Sequence, residues 1–214
     1  MIERFDMEQG TEEWFEVRRG IPTASEFSTV LAKGEGKTRR TYMLKLAGEI
    51  ITGRPSEQIT NAHMERGHEM EPEARSLYAL QMDKDPELVG FLRNGRKGCS
   101  PDSLIGANGM LEIKTKLPHL LIDLLDRDRF PPEHVAQCQG ALWVAEREWI
   151  DLAVYWPGLP LYVSRQFRDE AYIANLSYEV DRFNEDLDAL VAKIKRIADP
   201  SYCTGNAPNL LMAG

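Results

Sequence analysis

The stretch "SPDSLIGANGMLEIKTK", residues 100–116, decides how the fold is interpreted. A Pro-Asp pair ends at Asp102, and nine residues with two glycines separate it from Glu112, which is followed by an isoleucine and Lys114. The glycines permit a chain reversal, so the pattern predicts one strand that ends near residue 100 and another over residues 110–115. Side chains alternate along a strand, and we therefore expect Glu112 and Lys114 on one face.

Three charged groups are thus expected to converge at one end of a hairpin. Two carboxylates at close range repel each other unless a cation lies between them. Oxygen ligands without a nearby His or Cys suit Mg²⁺ or Mn²⁺ better than zinc. A lysine beside such a cation can orient an attacking water and stabilise charge on a phosphate, which indicates phosphodiester hydrolysis. The alternative is an ordinary hairpin with an exposed Asp turn and a Glu/Lys pair, because this spacing also occurs by chance.

The composition predicts one ordinary α/β domain. The chain has 214 residues, of which 43% are hydrophobic and 28% charged, so one full core over residues 1–198 is expected, although two domains are possible. Residues 199–214 are rich in Pro, Gly and Asn and are interpreted as a loose tail. No apolar run reaches the roughly 18 to 20 residues of a membrane helix, and no apolar signal core begins the chain, so we expect a cytoplasmic protein with no membrane partner.

The three cysteines, Cys99, Cys138 and Cys203, are far apart and form no CxxC pair. This spacing argues against a zinc ribbon, an iron–sulfur cluster and a disulfide framework. Acidic residues (34) outnumber basic ones (26), and the formal charge is −8. A net negative charge repels nucleic acid through the overall electrostatic field of the protein, so any contact with nucleic acid must be local. Carboxylates cluster over residues 65–73, which suggests a divalent cation or, alternatively, a solvated charged face.

The order of predicted elements implies a central mixed sheet flanked by helices. Pro72 lies inside one predicted helix and should kink it or mark a restart. Another helix is apolar nearly all round and is therefore expected to be buried. Helices are predicted over residues 24–32, 38–52, 61–81, 119–130 and 132–146, strands over residues 149–156 and 161–167, and a long amphipathic helix after them.

Five motifs appear in a fixed order: "EQGTEEWFEVRRGIPTASEF", "GHEMEPEARSLY", "CSPDSL", "LEIKTK" and "AQCQGALWV". In this order and spacing the chain resembles the lambda-exonuclease or YqaJ-type viral recombinase family, within the PD-(D/E)XK nuclease superfamily. The resemblance covers roughly residues 8–197. It implies a PD-(D/E)XK core fold and a phage or prophage protein that works in the cytoplasm of a bacterial host.

The resemblance also implies an activity. Family members of this type are Mg²⁺-dependent exonucleases, with two metal ions per site for which Mn²⁺ can substitute. They degrade the 5′-phosphorylated strand of linear double-stranded DNA to mononucleotides and leave 3′ overhangs for recombination. The implied assembly is a homotrimeric ring that works beside a single-strand annealing protein.

The resemblance assigns roles to the hairpin residues. Asp102 would bridge the metals, and Glu112 would bind one of them with help from the Ile113 carbonyl. Lys114 would serve the nucleophilic water. Glu71 would supply the fourth acidic or basic group of the site from an upstream helix.

Glu71 has a rival in Glu69. The two lie about 160° apart round a helix at roughly 100° per residue, so one helix cannot aim both at one metal, and Glu69 is interpreted as solvated. Met64 lies seven residues before Glu71 and hence on the same helical face. It matches a family position where an apolar wedge separates the terminal base pair, whereas the alternative is an ordinary core methionine.

Four residues match family positions that hold the terminal 5′-phosphate. A donor-rich pocket of this kind suits a phosphate dianion, to which an arginine can bind with two hydrogen bonds. Each residue also has a simpler interpretation: a surface cation, a helix cap, or a buried amide bonded to its neighbours. The four are Arg18, Ser25, Ser100 and Gln137.

Two other functions remain open from the sequence. A structure- or sequence-specific endonuclease of the same fold would need basic loops that read the DNA grooves, and the acidic composition offers few. A non-catalytic DNA-end-binding protein would not need Asp102, Glu112, Lys114 and Glu71. All four are present, which disfavours this function. The exonuclease is therefore the favoured hypothesis.

Overall fold

The computed structural model describes residues 1–32, 37–56 and 62–197. The predicted loose tail of residues 199–214 lies outside the described residues. Within the described part, the chain forms two sheets and seven α-helices. None of the helices in these ranges is both long and apolar enough to cross a membrane.

The central sheet has five strands in the order β2-β5-β6-β7-β8. Strands β6 and β7 pair in parallel and the other neighbours are antiparallel, which confirms the predicted mixed sheet. Parallel neighbours require a crossover connection, which α5 and α6 provide here. The strands are β2 (Pro86–Glu87), β5 (Ser103–Ile105), β6 (Gly109–Thr115), β7 (Trp149–Tyr155) and β8 (Tyr162–Phe167).

The hairpin exists, but its first strand is not the predicted one. The strand that ends near residue 100 is β4 (Lys97–Cys99), which pairs with β3 (Phe91–Asn94) in a separate three-stranded sheet that also contains β1 (Ile2–Phe5). The partner of β6 is β5, which begins directly after Asp102. Pro101 has no N–H to donate to a ladder, so the strand stops there and the chain changes sheet.

The predicted helices agree with the structure to within a few residues at most ends. Helix α4 runs through Pro72 without interruption, so the predicted restart there is wrong. The Ser76 hydroxyl donates a hydrogen bond of 2.9 Å to the Pro72 carbonyl within this helix. The helices are α1 (Glu12–Arg18), α2 (Phe27–Leu31), α3 (Lys37–Thr52), α4 (Ala62–Met82), α5 (Pro118–Arg127), α6 (Val135–Ala145) and α7 (Glu170–Ile197), and short 3-10 turns precede α2 and α6.

The two faces of β6 pack against different helices. Met110 belongs to the core cluster that contains α6, whereas Leu111 and Ile113 pack with Ala74 and Tyr78 of α4. Helix α6 is buried along most of its length, as its uniformly apolar sequence predicted. The alternation along β6 therefore directs residues 112 and 114 toward α6 and leaves α4 on the opposite face.

Candidate active site

Asp102 lies between the two sheets and folds back onto β6. Its backbone N–H donates to the Leu111 carbonyl at 3.1 Å. Its carboxylate Oδ2 accepts the Ile113 N–H at 2.5 Å. The interruption of the strand at Pro101 thus brings this carboxylate beside the middle of β6.

Glu112 is almost fully buried, with 4% of its side chain exposed. Its Oε1 lies 2.7 Å from Lys114 Nζ, so the two side chains share a face of β6 as predicted. The same oxygen accepts a hydrogen bond of 2.5 Å from Gln137 Nε2 on α6. Burial alone would lower the pKa of Lys114, but the charges of Glu112 and Asp102 outweigh it and raise that pKa above its ordinary value. Lys114 is therefore a charged ammonium at neutral pH.

The surroundings of Asp102 oppose its ionisation. Burial and the nearby charges of Glu112 and Glu71 raise its pKa well above the usual range, although Lys114 and the Ile113 N–H act in the opposite direction. Three carboxylates therefore influence one another across this site with too little positive charge between them. A divalent cation would relieve that repulsion.

Glu71 reaches the site from α4. Its carboxylate accepts a hydrogen bond from Arg75, one helical turn later, and Arg75 also donates to the Asp102 carbonyl at 3.3 Å. Glu69 is exposed, as the helical-wheel argument predicted. The side chain of Met64 lies outside the described residues, so its interpretation as a wedge stays a prediction.

A cavity of about 540 Å³ opens beside the carboxylates of Glu71 and Asp102. It is lined on one side by Glu71, Arg75 and Asp102 and on the other by the segment around Gln9, and His68 of α4 lies at its edge. The Gln9 amide is fixed by hydrogen bonds of 3.1 Å to the Val89 and Pro101 carbonyls. The cavity gives the acidic site direct access to a ligand.

The donor set of this site fits a hard divalent cation. In the ranges that the structure describes, no three His, Cys, Asp or Glu side chains stand in an arrangement that would hold a metal ion. The carboxylates of Glu71, Asp102 and Glu112 each accept a hydrogen bond from a protein donor. A carboxylate has about four lone-pair positions, so these bonds leave acceptor capacity for a cation. Carboxylate and carbonyl oxygens without His or Cys suit Mg²⁺ or Mn²⁺. The groups that would hold it are Glu71, Asp102, Glu112 and the Ile113 carbonyl.

A second cavity of about 630 Å³ contains Arg18 and Ser25. The Arg18 guanidinium stacks 3.6 Å from the centre of the Trp14 ring. Burial lowers the pKa of Arg18 to about 10, while the charges of Tyr42, Glu49 and other acidic groups partly oppose this shift. Arg18 therefore stays cationic at neutral pH in a partly desolvated place, where a contact with an anion is strong.

The other two predicted phosphate ligands lie in different places. Ser100 is joined to the Arg18 cavity through Trp14, whose indole N–H donates to Ser100 Oγ at 3.0 Å. Gln137 is bonded to Glu112 and does not line the cavity of Arg18. Ser25 lies inside the 3-10 turn, whose N-cap residue is Thr23, and its hydroxyl lies 3.2 Å from that of Thr23. The structure thus places Arg18 and Ser25 in one cavity, links Ser100 to it through Trp14, and holds Gln137 at the carboxylate site.

Four residues of these cavities were missed by the sequence interpretation. The contact of Trp14 with Arg18 could have been predicted from the sequence. Trp14 lies one helical turn before Arg18, and side chains at that spacing on a helix meet. Lys45 of α3 lines the second cavity, and its sequence surroundings give no such signal. Gln9 and His68 line both cavities, which makes the two cavities neighbours.

Known proteins resemble this chain in sequence and in structure. The family model described as the YqaJ-like viral recombinase domain matches residues 13–148. The crystal structure of an alkaline exonuclease, LHK-Exo, from Laribacter hongkongensis is 33% identical, with a TM-score of 0.80 over 88% of this chain and 98% of that one. The structure of LHK-Exo in complex with dAMP is 34% identical, with a TM-score of 0.81 and the same coverage.

A more distant structure shares the fold. A phage-related exonuclease from Haemophilus somnus 129PT is 12% identical, with a TM-score of 0.62 over 81% of this chain and 96% of that one. A search of curated proteins found no significant match. These structures confirm the predicted PD-(D/E)XK fold.

Proposed function

Because this chain belongs to the YqaJ-like viral recombinase family and is a nuclease, we propose that it is a divalent-metal-dependent 5′-to-3′ exonuclease. Its substrate is the 5′-phosphorylated strand of linear double-stranded DNA, and its products are mononucleotides and a 3′ overhang for recombination. The observation that carries this proposal is the pair of neighbouring cavities, one at the carboxylates and one at Arg18, which share Gln9 and His68. A terminal nucleotide has a phosphate at each end. The carboxylate cavity would bind one phosphate through its metal ions, and Arg18 would bind the other.

The carboxylate cavity is the place of cleavage in this proposal. Glu71, Asp102, Glu112 and the Ile113 carbonyl would hold Mg²⁺, with two ions per site and Mn²⁺ as a substitute. When bound, the metal supplies Lewis-acid polarisation of the phosphate and lowers the pKa of a water molecule. The raised pKa of Asp102 supports this role, because burial beside two other carboxylates makes its ionised form unfavourable unless a cation is bound nearby.

Lys114 acts on the water and on the phosphate. Its ammonium, held 2.7 Å from Glu112, orients the attacking water and stabilises negative charge that develops on the phosphate oxygens. The water attacks phosphorus, and the bond from phosphorus to the 3′-oxygen of the terminal nucleotide breaks. The 3′-oxygen leaves with a proton as a hydroxyl. The shortened strand keeps a new 5′-phosphate.

The Arg18 cavity sets the direction. Arg18 supplies a desolvated positive charge, and Ser25 and Ser100 supply hydroxyl donors for the 5′-phosphate. Gln137 donates one amide N–H to Glu112, and its second N–H is the donor that would reach the same phosphate. The relative LHK-Exo has been captured with dAMP, a 5′-mononucleotide, which supports release of this product. Each cut exposes a fresh 5′-phosphate that Arg18 can attract.

The assembly and setting are proposed from the family resemblance. We propose that residues 1–198 form one nuclease domain, that three copies form a ring, and that a single-strand annealing protein works beside it in the cytoplasm of a bacterial host. Exposed leucines on α4, Leu77 and Leu80, are available for a contact between copies. Because the chain carries a net charge of −8, a DNA channel through such a ring requires basic residues gathered on its inner wall.

Two labelled substrates test the polarity and the products. A blunt duplex labelled at either the 5′ or the 3′ end is digested in Mg²⁺, and the released products are resolved by size over time. We expect the 5′ label to appear at once as a mononucleotide and the 3′ label to stay in long single strands. Addition of EDTA should stop both. Prior release of the 3′ label would contradict the proposed direction, and sedimentation at the mass of one chain would contradict the ring.

A further inference from the structure

Arg75 lies in the carboxylate cavity, and the proposed chemistry does not use it. Its guanidinium donates to three groups at once. The acceptors are the Glu71 carboxylate, the Asp102 backbone carbonyl at 3.3 Å and Ser103 Oγ at 3.0 Å. These groups belong to α4 and to the start of β5, so one side chain connects the two elements that carry Glu71 and Asp102.

The environment of Arg75 distinguishes it from an ordinary helical ion pair. Its side chain is 17% exposed, whereas Arg127, which makes the same i,i+4 contact with Asp123 on α5, is 69% exposed. An exposed pair of that kind contributes little to stability. A mostly buried guanidinium with three acceptors is fixed in position, because its donors form a rigid planar fork.

We propose that Arg75 is a positioning residue for the metal site: it holds the Glu71 carboxylate and the Asp102 backbone in the mutual arrangement in which both can bind a divalent cation. This inference rests on the proposed function, because it assumes that these carboxylates are the metal ligands. Arg75 binds Glu71 Oε1, which leaves Oε2 for the cation. Groups that orient a metal ligand through hydrogen bonds typically change metal affinity by about 10- to 100-fold when they are removed.

A competing role for Arg75 gives the opposite result. If its positive charge mainly competed with the cation for Glu71, removal of Arg75 would make metal binding tighter. Arg75→Lys separates charge from geometry, because lysine keeps the charge and loses the planar fork. If the planar guanidinium of Arg75 positions Glu71, Arg75→Lys should bind metal more weakly than the wild type. The loss of affinity should be smaller than in a variant that also lacks the positive charge.

Mn²⁺ binding in the absence of DNA tests the inference directly. Binding is measured by electron paramagnetic resonance for the wild type, Arg75→Met, Arg75→Lys and the control Arg127→Met, which removes an exposed arginine from the matched helical pair. Circular dichroism melts check that each variant is folded. We expect Mn²⁺ affinity about 10- to 100-fold weaker in Arg75→Met, an intermediate loss in Arg75→Lys and no change in the control.

The Mg²⁺ dependence of nuclease activity gives a second readout. In Arg75→Lys we expect a higher Mg²⁺ concentration for half-maximal activity and recovery of most of the rate at saturating Mg²⁺. A purely structural defect would lower the rate at every Mg²⁺ concentration. Unchanged or tighter Mn²⁺ binding in the folded variants would overturn the positioning role of Arg75. Absence of Mn²⁺ binding by the wild type would instead contradict the metal site of the proposed function.

Discussion

Replacement of Asp102 by asparagine should stabilise the metal-free protein and abolish its nuclease activity. Burial and the charges of Glu112 and Glu71 raise the pKa of Asp102, so the ionised carboxylate costs folding free energy at neutral pH. Asparagine carries no charge, and its side-chain oxygen can accept the Ile113 N–H that Asp102 accepts now. The same change removes the charge that would bind the cation, so activity is lost.

The size of the effect can be bounded. Relief of a poorly compensated buried charge contributes roughly 1 to 2 kcal/mol of unfolding free energy. For a chain of this length, 1 kcal/mol shifts the melting temperature by about 2–4 °C, so we expect a rise of about 2–8 °C in EDTA. At a Mg²⁺ concentration 100 times the dissociation constant, binding stabilises the wild type by about 2.7 kcal/mol and should reverse the order of the two proteins.

Thermal melts of both proteins, in EDTA and in saturating Mg²⁺, measure this reversal. Glu69→Gln is the matched control, because it removes a carboxylate from the same region at an exposed position outside the site. The control should follow the wild type in both buffers. A lower melting temperature of Asp102→Asn in EDTA, or an equal response of both proteins to Mg²⁺, would refute the view that Asp102 is a strained metal ligand.

Further outcomes are expected for the two cavities and for one partly buried histidine. Arg18→Ala should remove most of the preference for 5′-phosphorylated over 5′-hydroxyl duplex in single-turnover rates; a charge-assisted contact of about 1.5–3 kcal/mol corresponds to a preference of about 10- to 150-fold. Full retention of the preference would show that Arg18 does not bind the phosphate. Ca²⁺ should support DNA binding in a filter assay without cleavage, because its longer and looser coordination does not hold the water in line, and rapid cleavage in Ca²⁺ alone would contradict the mechanism. Burial, together with Lys114 and Lys116, lowers the pKa of His134 to about 4. The unfolded chain then binds the extra proton first, so stability in urea should fall by about 1 to 2 kcal/mol between pH 6.5 and pH 4, and His134→Gln should flatten this dependence.

The local parts of the fold could be predicted from the sequence, because their signals lie within a few residues. The glycines at 106 and 109 indicated the chain reversal, and period-two alternation correctly put Glu112 and Lys114 on one face. The three-stranded sheet had no such signal. Its ladder joins Ile2 to Asn94, and pairing across that separation depends on the completed core.

The placement of Gln137 shows why site geometry needs the structure. Sequence matching assigned it to the 5′-phosphate, whereas its amide donates to Glu112. The approach of α6 to its neighbours depends on Gly140, where an added Cβ would lie 2.3 Å from a ring carbon of Phe27. The spacing of residues along the sequence does not reveal such a close approach.

The central proposal, digestion of DNA from an end, is tested most directly with linear and covalently closed circular duplexes of the same sequence. Both are incubated with the protein in Mg²⁺, and intact DNA is followed by gel electrophoresis. We expect complete digestion of the linear duplex and an unchanged closed circle, because the proposed contact of Arg18 with the 5′-phosphate requires a free 5′ end. Cutting of the closed circle at a comparable rate would identify an endonuclease and contradict the proposal.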